Sequence, residues 1–221
     1  MNTERLVTGL FQVNTYLIPV SVKGQAGLVL VDPGGDFDCI VSQMNKMDRA
    51  PFAIMLTHGH FDHIGAVGAL KKEFPSIHIA IHSGDKEYLG KKGYERQYAD
   101  VCSLGIPALI ESFKQNFLEL PEPDILLEDG HMPFCMQGWN VLHTPGHSKG
   151  SICFYNEEKG LLLSGDTLFA GSCGRTDLYG GDMTAMNKSL QKLLALPSHV
   201  KVYPGHGSST TIAREQNNYG V

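Results

Sequence analysis

The sequence predicts an α/β or α+β fold with mixed sheets. Short apolar runs rich in β-branched residues recur along the chain, Gly and Pro punctuate them, and segments of helical spacing lie between some of them. Residues 14–20 and 27–31 read as the first strands, and the second of them ends at Asp32-Pro33-Gly34-Gly35. Residues 36–47 read as a helix, 53–56 as a strand, 63–74 as a helix and 77–81 as a strand. Residues 84–123 break this rhythm. They interleave Lys86, Lys91, Lys92, Arg96 and Lys114 with Tyr88, Tyr94, Tyr98, Phe113 and Phe117, and read as a helical insertion with a solvated face rather than a lid. Strands follow at 139–142, 151–155 and 161–163, then a helix at 182–196, a strand at 200–203 and a last helix at 210–218. No linker or low-complexity tract divides residues 1–221, so one domain carrying the insertion is expected.

Composition narrows the function classes. The chain has 221 residues, 18 Lys plus Arg against 23 Asp plus Glu, a formal charge of −5 and ten histidines. Acids outnumber bases, which disfavours nucleic acid as the main ligand because gripping phosphates needs a positive face. No run approaches the ~18 apolar residues of a membrane span, and Met1-Asn2-Thr3-Glu4-Arg5 leads into no apolar signal segment, so no membrane partner and a cytoplasmic location are expected. Cys39, Cys102, Cys135, Cys153 and Cys173 are widely spaced and form no C-x-x-C, so reduced thiols are expected.

The histidines carry the chemistry. Thr57-His58-Gly59-His60-Phe61-Asp62-His63 places four metal-competent side chains within six positions, between an apolar strand and a helix-like run. His58 and His60 would face different sides of a helix, so the motif works as a strand-end loop, with Gly59 expected to allow a tight turn and the following helix to return Asp62 and His63 to the same point. Imidazole and carboxylate suit zinc, iron or manganese. His147, Asp166 and His206 also follow strands, in Thr144-Pro145-Gly146-His147, Ser164-Gly165-Asp166 and Pro204-Gly205-His206. Seven ligands exceed one tetrahedral ion and suit two ions sharing a carboxylate.

With these motifs, with Asn14-Thr15-Tyr16-Leu17, and with Gly171 to Asp177 followed by Gly181-Asp182, the sequence resembles the metallo-β-lactamase-fold hydrolases. Among them it is similar to the compact glyoxalase II-like, or hydroxyacylglutathione hydrolase-like, proteins. The resemblance implies a four-layer αβ/βα sandwich with the site at one edge. It further implies that His58, His60 and His147 hold one divalent ion and Asp62, His63 and His206 a second, with Asp166 bridging. Zinc is the first choice of metal, iron or manganese the alternatives. The expected reaction is hydrolysis of a small acyl thioester such as S-lactoylglutathione by a metal-bridging hydroxide oriented by Asp62. A thiolate leaving group, with a parent pKa of about 8.5, fits because it needs no strong general acid. Longer members hold glutathione with an additional C-terminal helical region, whereas 15 residues follow His206 here. Arg175 is therefore the expected substrate contact, beside a reading in which it pairs with Asp177 or Asp182 to fix its loop.

Three other readings come from the same residues. Persulfide dioxygenases share much of the motif set and, by resemblance, use one iron at the positions of His58, His147 and Asp166. Gly146-His147-Ser148-Lys149-Gly150 fits G-x-S-x-G, but a strand rather than a helix is expected after it, which argues against a nucleophilic serine. Asp32 is left out of the ligand set, since a turn or cap role competes with support of a ligand histidine.

Overall fold

The computed structural model describes residues 3–117 and 120–221. One sheet is built from β1 (Glu4–Thr8), β2 (Val13–Val22), β3 (Gln25–Val31), β4 (Pro51–Met55), β5 (His78–His82) and β6 (Ile125–Leu127), in that spatial order. Its first three strands pair antiparallel and β3 to β6 pair parallel, so the sheet is mixed. The second sheet has the order β11 (Thr210–Thr211), β10 (Lys201–Pro204), β9 (Leu161–Gly165), β8 (Ile152–Asn156), β7 (Asn140–His143). Only β9 and β10 run parallel in it.

The apolar strand runs are explained by burial on both faces. In β3, Leu28 and Leu30 face an outer core while Val29 and Val31 face the space between the sheets; β5 divides Ile79 and Ile81 from Ala80 in the same way. In β8, Ile152 and Phe154 point between the sheets, and Cys153 and Tyr155 point to the opposite outer layer. This period of two, apolar on both sides, is the pattern of a sheet covered twice. Helices α1 (Phe37–Lys46) and α2 (Val67–Glu73) cover the first sheet through Ile40, Met44, Val67 and Leu70. Helix α5 (Met183–Leu194) covers the second through Met186, Leu190 and Leu193, spaced four and three residues apart. Asp182 caps α5 by accepting from Ala185 N at 2.9 Å. The last helix, α6 (Ile212–Tyr219), starts at a Thr211 cap. The result is two mixed sheets flanked by helices, the sandwich expected from the resemblance.

Residues 83–116 form two 3₁₀ turns, Ser83–Tyr88 and Gly90–Lys92, then α3 (Gly93–Ser103) and α4 (Pro107–Asn116). The segment is helical but is more than a solvated face. Its aromatic residues turn inward, with Tyr94 stacked on Tyr98 at 5.3 Å and on Phe113 at 5.3 Å, and Phe113 on Phe117 at 4.5 Å. Three short strands, β1, β6 and β11, lie outside the expected set; the helix expected from residue 63 begins at Val67 because residues 61–66 form turns, and the one expected from residue 210 begins at Ile212 because Thr210 and Thr211 pair with β10. No described helix is long and apolar enough to cross a membrane.

Candidate metal centre

Every expected ligand lies just beyond the C-terminal end of a strand. His58 to His63 follow β4, His147 follows β7, Asp166 follows β9 and His206 follows β10. The strand directions bring these ends to one edge, where Ile152 N donates to Thr57 O at 2.8 Å and ties the two sheets together. The loop after β4 doubles back, with His63 N donating to His60 O at 2.9 Å, so all four of its ligand side chains reach one place.

Two triads result. Ligand atoms of His58, His60 and His147 lie within 4.8 Å of one another, as do those of Asp62, His63 and His206. Asp166 lies between the two. Its Oδ2 is 3.6 Å from His147 Nε2 and 3.5 Å from His206 Nε2, and its Oδ1 is 3.3 Å from His63 Nε2. His206 Nε2 is 3.3 Å from Asp62 Oδ2, and His60 Nδ1 is 2.8 Å from His147 Nε2.

Four of the imidazoles are anchored through Nδ1, which aims Nε2 inward. His147 Nδ1 lies 2.7 Å from Arg175 O, His206 Nδ1 3.0 Å from Phe11 O, and His63 Nδ1 3.0 Å from Asp32 Oδ2. Thr57 Oγ1 donates to Asp32 Oδ2 at 2.6 Å and sits 3.1 Å from His58 Nδ1. Asp32 also accepts from Thr57 N at 2.8 Å. A single buried carboxylate thus contacts a histidine of one triad and, through Thr57, a histidine of the other, as a supporting role would have it.

The centre fits a cation by its own chemistry. His58 Nε2 and Asp166 Oδ1 are buried within the cluster without a hydrogen-bond partner, a costly condition for polar atoms that a bound ion relieves. Burial and the neighbouring imidazoles hold His58 well below the usual histidine range and bring His60 down to about 3, so both present neutral rings. Burial would raise Asp166 and Asp62, but the facing histidines outweigh it and keep both ionised. Burial opposes charge on His63 as well, yet Asp166, Asp62 and Asp32 together raise it well above its ordinary value. His58 and His60 are thus already in the neutral form that a divalent metal requires, whereas His63, beside the converging carboxylates, would give up its proton to one.

A second supporting carboxylate escaped the motif reading. Asp85, fully buried after β5, accepts from Gly59 N at 3.0 Å, Ser148 Oγ at 2.6 Å and Gly150 N at 2.7 Å. It brackets the loop of His58 and His60 to the loop of His147. Like Asp32 and Asp166 it lies shortly after a strand, and that is the signal that could have found it. Ser148 is itself buried against Asp85 and Ser151, which removes it as an exposed nucleophile.

Gly59 and Gly205 are among the glycines that let the chain approach the site closely. Gly59 takes no left-handed turn; a side chain there would collide with the Tyr88 ring, which packs edge-on against His60 at 5.4 Å. A side chain at Gly205 would strike Asp166 Oδ1. Arg175 lines the cleft, and its Nε and Nη2 donate to the two carboxylate oxygens of Asp177 at 2.7 and 2.8 Å, as in the loop-fixing reading.

The metallo-beta-lactamase superfamily model matches residues 8–206. The chain belongs to that superfamily. Among curated relatives, the probable metallo-hydrolase YqgX of Bacillus subtilis is 35% identical over 98% of this chain and 95% of its own length. Hydroxyacylglutathione hydrolase GloC of Haemophilus influenzae is 34% identical over 98% and 95%. Among solved structures, TTHA1623 in a di-iron-bound form superposes with a TM-score of 0.78 at 35% identity, covering 97% of this chain and 98% of that one. BLEG-1 B3 metallo-beta-lactamase gives 0.78 at 34%, covering 98% and 97%. ETHE1 from Myxococcus xanthus gives 0.74 at 25%, covering 99% and 83%. The superfamily carries a di-metal site, and the His/Asp cluster stands where this chain would hold one.

Proposed function

We propose that this superfamily member is a two-metal hydrolase of acyl thioesters, with S-lactoylglutathione the first substrate to test. The observation that carries the reading is the pair of ligand triads meeting at Asp166, with buried ligand atoms left unpartnered. His58, His60 and His147 would hold one ion, Asp62, His63 and His206 the other, and Asp166 would touch both. Zinc is the first choice; iron, which TTHA1623 binds, and manganese suit the same donors. Such a pair of ions, when bound, supplies a water acidified toward neutrality and polarises the substrate carbonyl.

The remaining work falls to this chain's own residues. The Asp62 carboxylate, 3.3 Å from His206 Nε2, is placed to accept a hydrogen bond from the attacking water and fix its direction. Asp32 and Asp85 hold the ligand loops rigid so that little reorganisation accompanies the reaction. In the balanced step the water oxygen bonds to the carbonyl carbon, the C–S bond breaks, the thiolate departs with the electron pair and the proton passes to solvent. The likeness to GloC supports a thioester as substrate.

The likeness to ETHE1 favours a second reading, a mono-iron persulfide dioxygenase using His58, His147 and Asp166. One experiment separates the two. Protein grown without metal bias is assayed for metal content, S-lactoylglutathione cleavage, oxygen uptake with glutathione persulfide, and cleavage of a β-lactam. Two ions per chain with thioester turnover are expected. One iron with oxygen uptake would replace the hydrolase reading, and two ions with β-lactam cleavage alone would replace the substrate.

A further inference from the structure

Resting on the thioester reading, we infer that the cleft selects an apolar acyl group, so that straight-chain alkanoyl thioesters of about four to six carbons are cleaved in preference to acetyl or lactoyl esters. The cavity above the ligands, of about 280 Å³, exposes a mostly apolar wall. Phe11, Phe61, Leu104, Phe169 and Leu178 supply it, all half-buried and all in the same cavity as His60, Asp62, His147, Asp166 and His206.

The wall is stiff. Phe61 meets Phe11 edge-on at 5.3 Å and Phe113 at 6.4 Å, and Phe169 stands edge-on to the His206 ring at 6.1 Å. Leu104 comes from the C-terminal end of α3, so the helical segment after β5 builds part of the cleft. A second cavity, of about 360 Å³, shares Phe11, Phe61 and Asp62 with the first as lining and is also lined by Leu109 and Phe117.

Polar selection is weak by contrast. Apart from the histidines, Arg175 is the one cation among the described residues lining either cavity, and its guanidinium is engaged by both oxygens of Asp177. Asp100 lines the first cavity and adds negative charge to it. A hydroxyl or carboxylate on the acyl group loses its water against this wall, whereas a methylene loses nothing and gains burial.

The test uses the metal-loaded protein and thioesters of one neutral thiol, N-acetylcysteamine, carrying acetyl, butyryl, hexanoyl or lactoyl groups. Burial of each added methylene is expected to raise kcat/KM about threefold, placing hexanoyl at least tenfold above acetyl and above lactoyl. Leu104→Gln should reduce the hexanoyl-to-acetyl ratio. Independently, hexanoate should bind the metal-loaded wild type at least tenfold more tightly than acetate by calorimetry. A flat series, lactoyl as the best acyl group, or equal binding of the two carboxylates would overturn the inference while leaving thioester hydrolysis intact. Preferential hexanoate binding without cleavage of any thioester would instead reject the hydrolase reading and keep the apolar selectivity.

Discussion

Two groups of histidines lie near one another in this molecule and behave in opposite ways. At the sheet edge, His58, His63, His147 and His206 each tie Nδ1 to the protein and aim Nε2 at a common centre. Nearby, His82 and His143 stack at 4.1 Å with rings only 13° apart, and the fold consumes their nitrogens. His82 Nδ1 accepts from Gly84 N at 3.1 Å, its Nε2 faces Glu128 Oε2 at 3.5 Å, and His143 Nε2 lies 2.9 Å from Lys149 O. Proximity of imidazoles is therefore not the mark of a metal centre. The mark is the convergence of ring nitrogens and carboxylate oxygens on one point, with His58 Nε2 buried there without a partner.

The largest effect should come from breaking the first group at its middle. Asp166→Ala is expected to release at least one of two ions and to lower thioester turnover at least about 100-fold. Elemental analysis showing unchanged metal content would contradict the bridging role. Removing the bracket rather than a ligand should do less: Asp85→Asn replaces an acceptor of three hydrogen bonds and should weaken metal affinity about 10- to 100-fold, as read by chelator competition. Asp32→Asn should fall in the same range. If either variant binds metal as tightly as the wild type, that carboxylate does not orient the ligand loops.

The second group supplies the contrast. His143→Ala should leave metal stoichiometry at the wild-type value and turnover within about threefold, since the ring bonds a loop carbonyl and stacks on His82, neither of them an expected ligand. Loss of an ion from this variant would erase the distinction between the two groups. The smallest expected effect is a pH dependence. Burial, helped by His143, lowers the His82 pKa against the opposing pull of Glu128 and Asp129. With the folded pKa below the unfolded value of about 6.5, the unfolded chain takes up the proton first. This contribution to stability is present above about pH 6.5 and declines as pH falls through the folded pKa. Thermal melts of His82→Asn between pH 7.5 and 5.5 should therefore show a smaller drop in Tm than the wild type, and an equal or larger drop would reverse the sign.

Much of this arrangement was legible in the sequence because its signals are local. The strands that carry ligands are apolar on both faces, and four ligands fall within six positions, so neither needed a distant partner to be recognised. Strands β1 and β6 were not legible. Glu4–Thr8 is a half-exposed edge, and the three residues Ile125–Leu127 acquire strand form only by pairing with β5. Asp85 was missed because its meaning lies 26 and 65 residues away, at Gly59 and Gly150. Gly59 was understood for the wrong reason, since the Tyr88 ring that demands its small size comes from the segment after β5.

The anchoring of the His206 loop has a consequence for the order in which the chain is made. Asn14 Nδ2 donates to Pro204 O and Gly207 O, both at 2.9 Å, and Tyr16 Oη donates to Pro204 O at 2.7 Å. A strand is thus bonded to a loop synthesised long after it. The cluster at residues 58–63 is synthesised long before His147, Asp166 and His206, and the hydrogen bonds that hold the His206 loop span 188 to 193 residues. Contacts of such separation form late in folding. The candidate metal centre is thus expected to be completed late in folding, and a nascent chain stalled before residue 206 would expose a histidine cluster with only part of its partners.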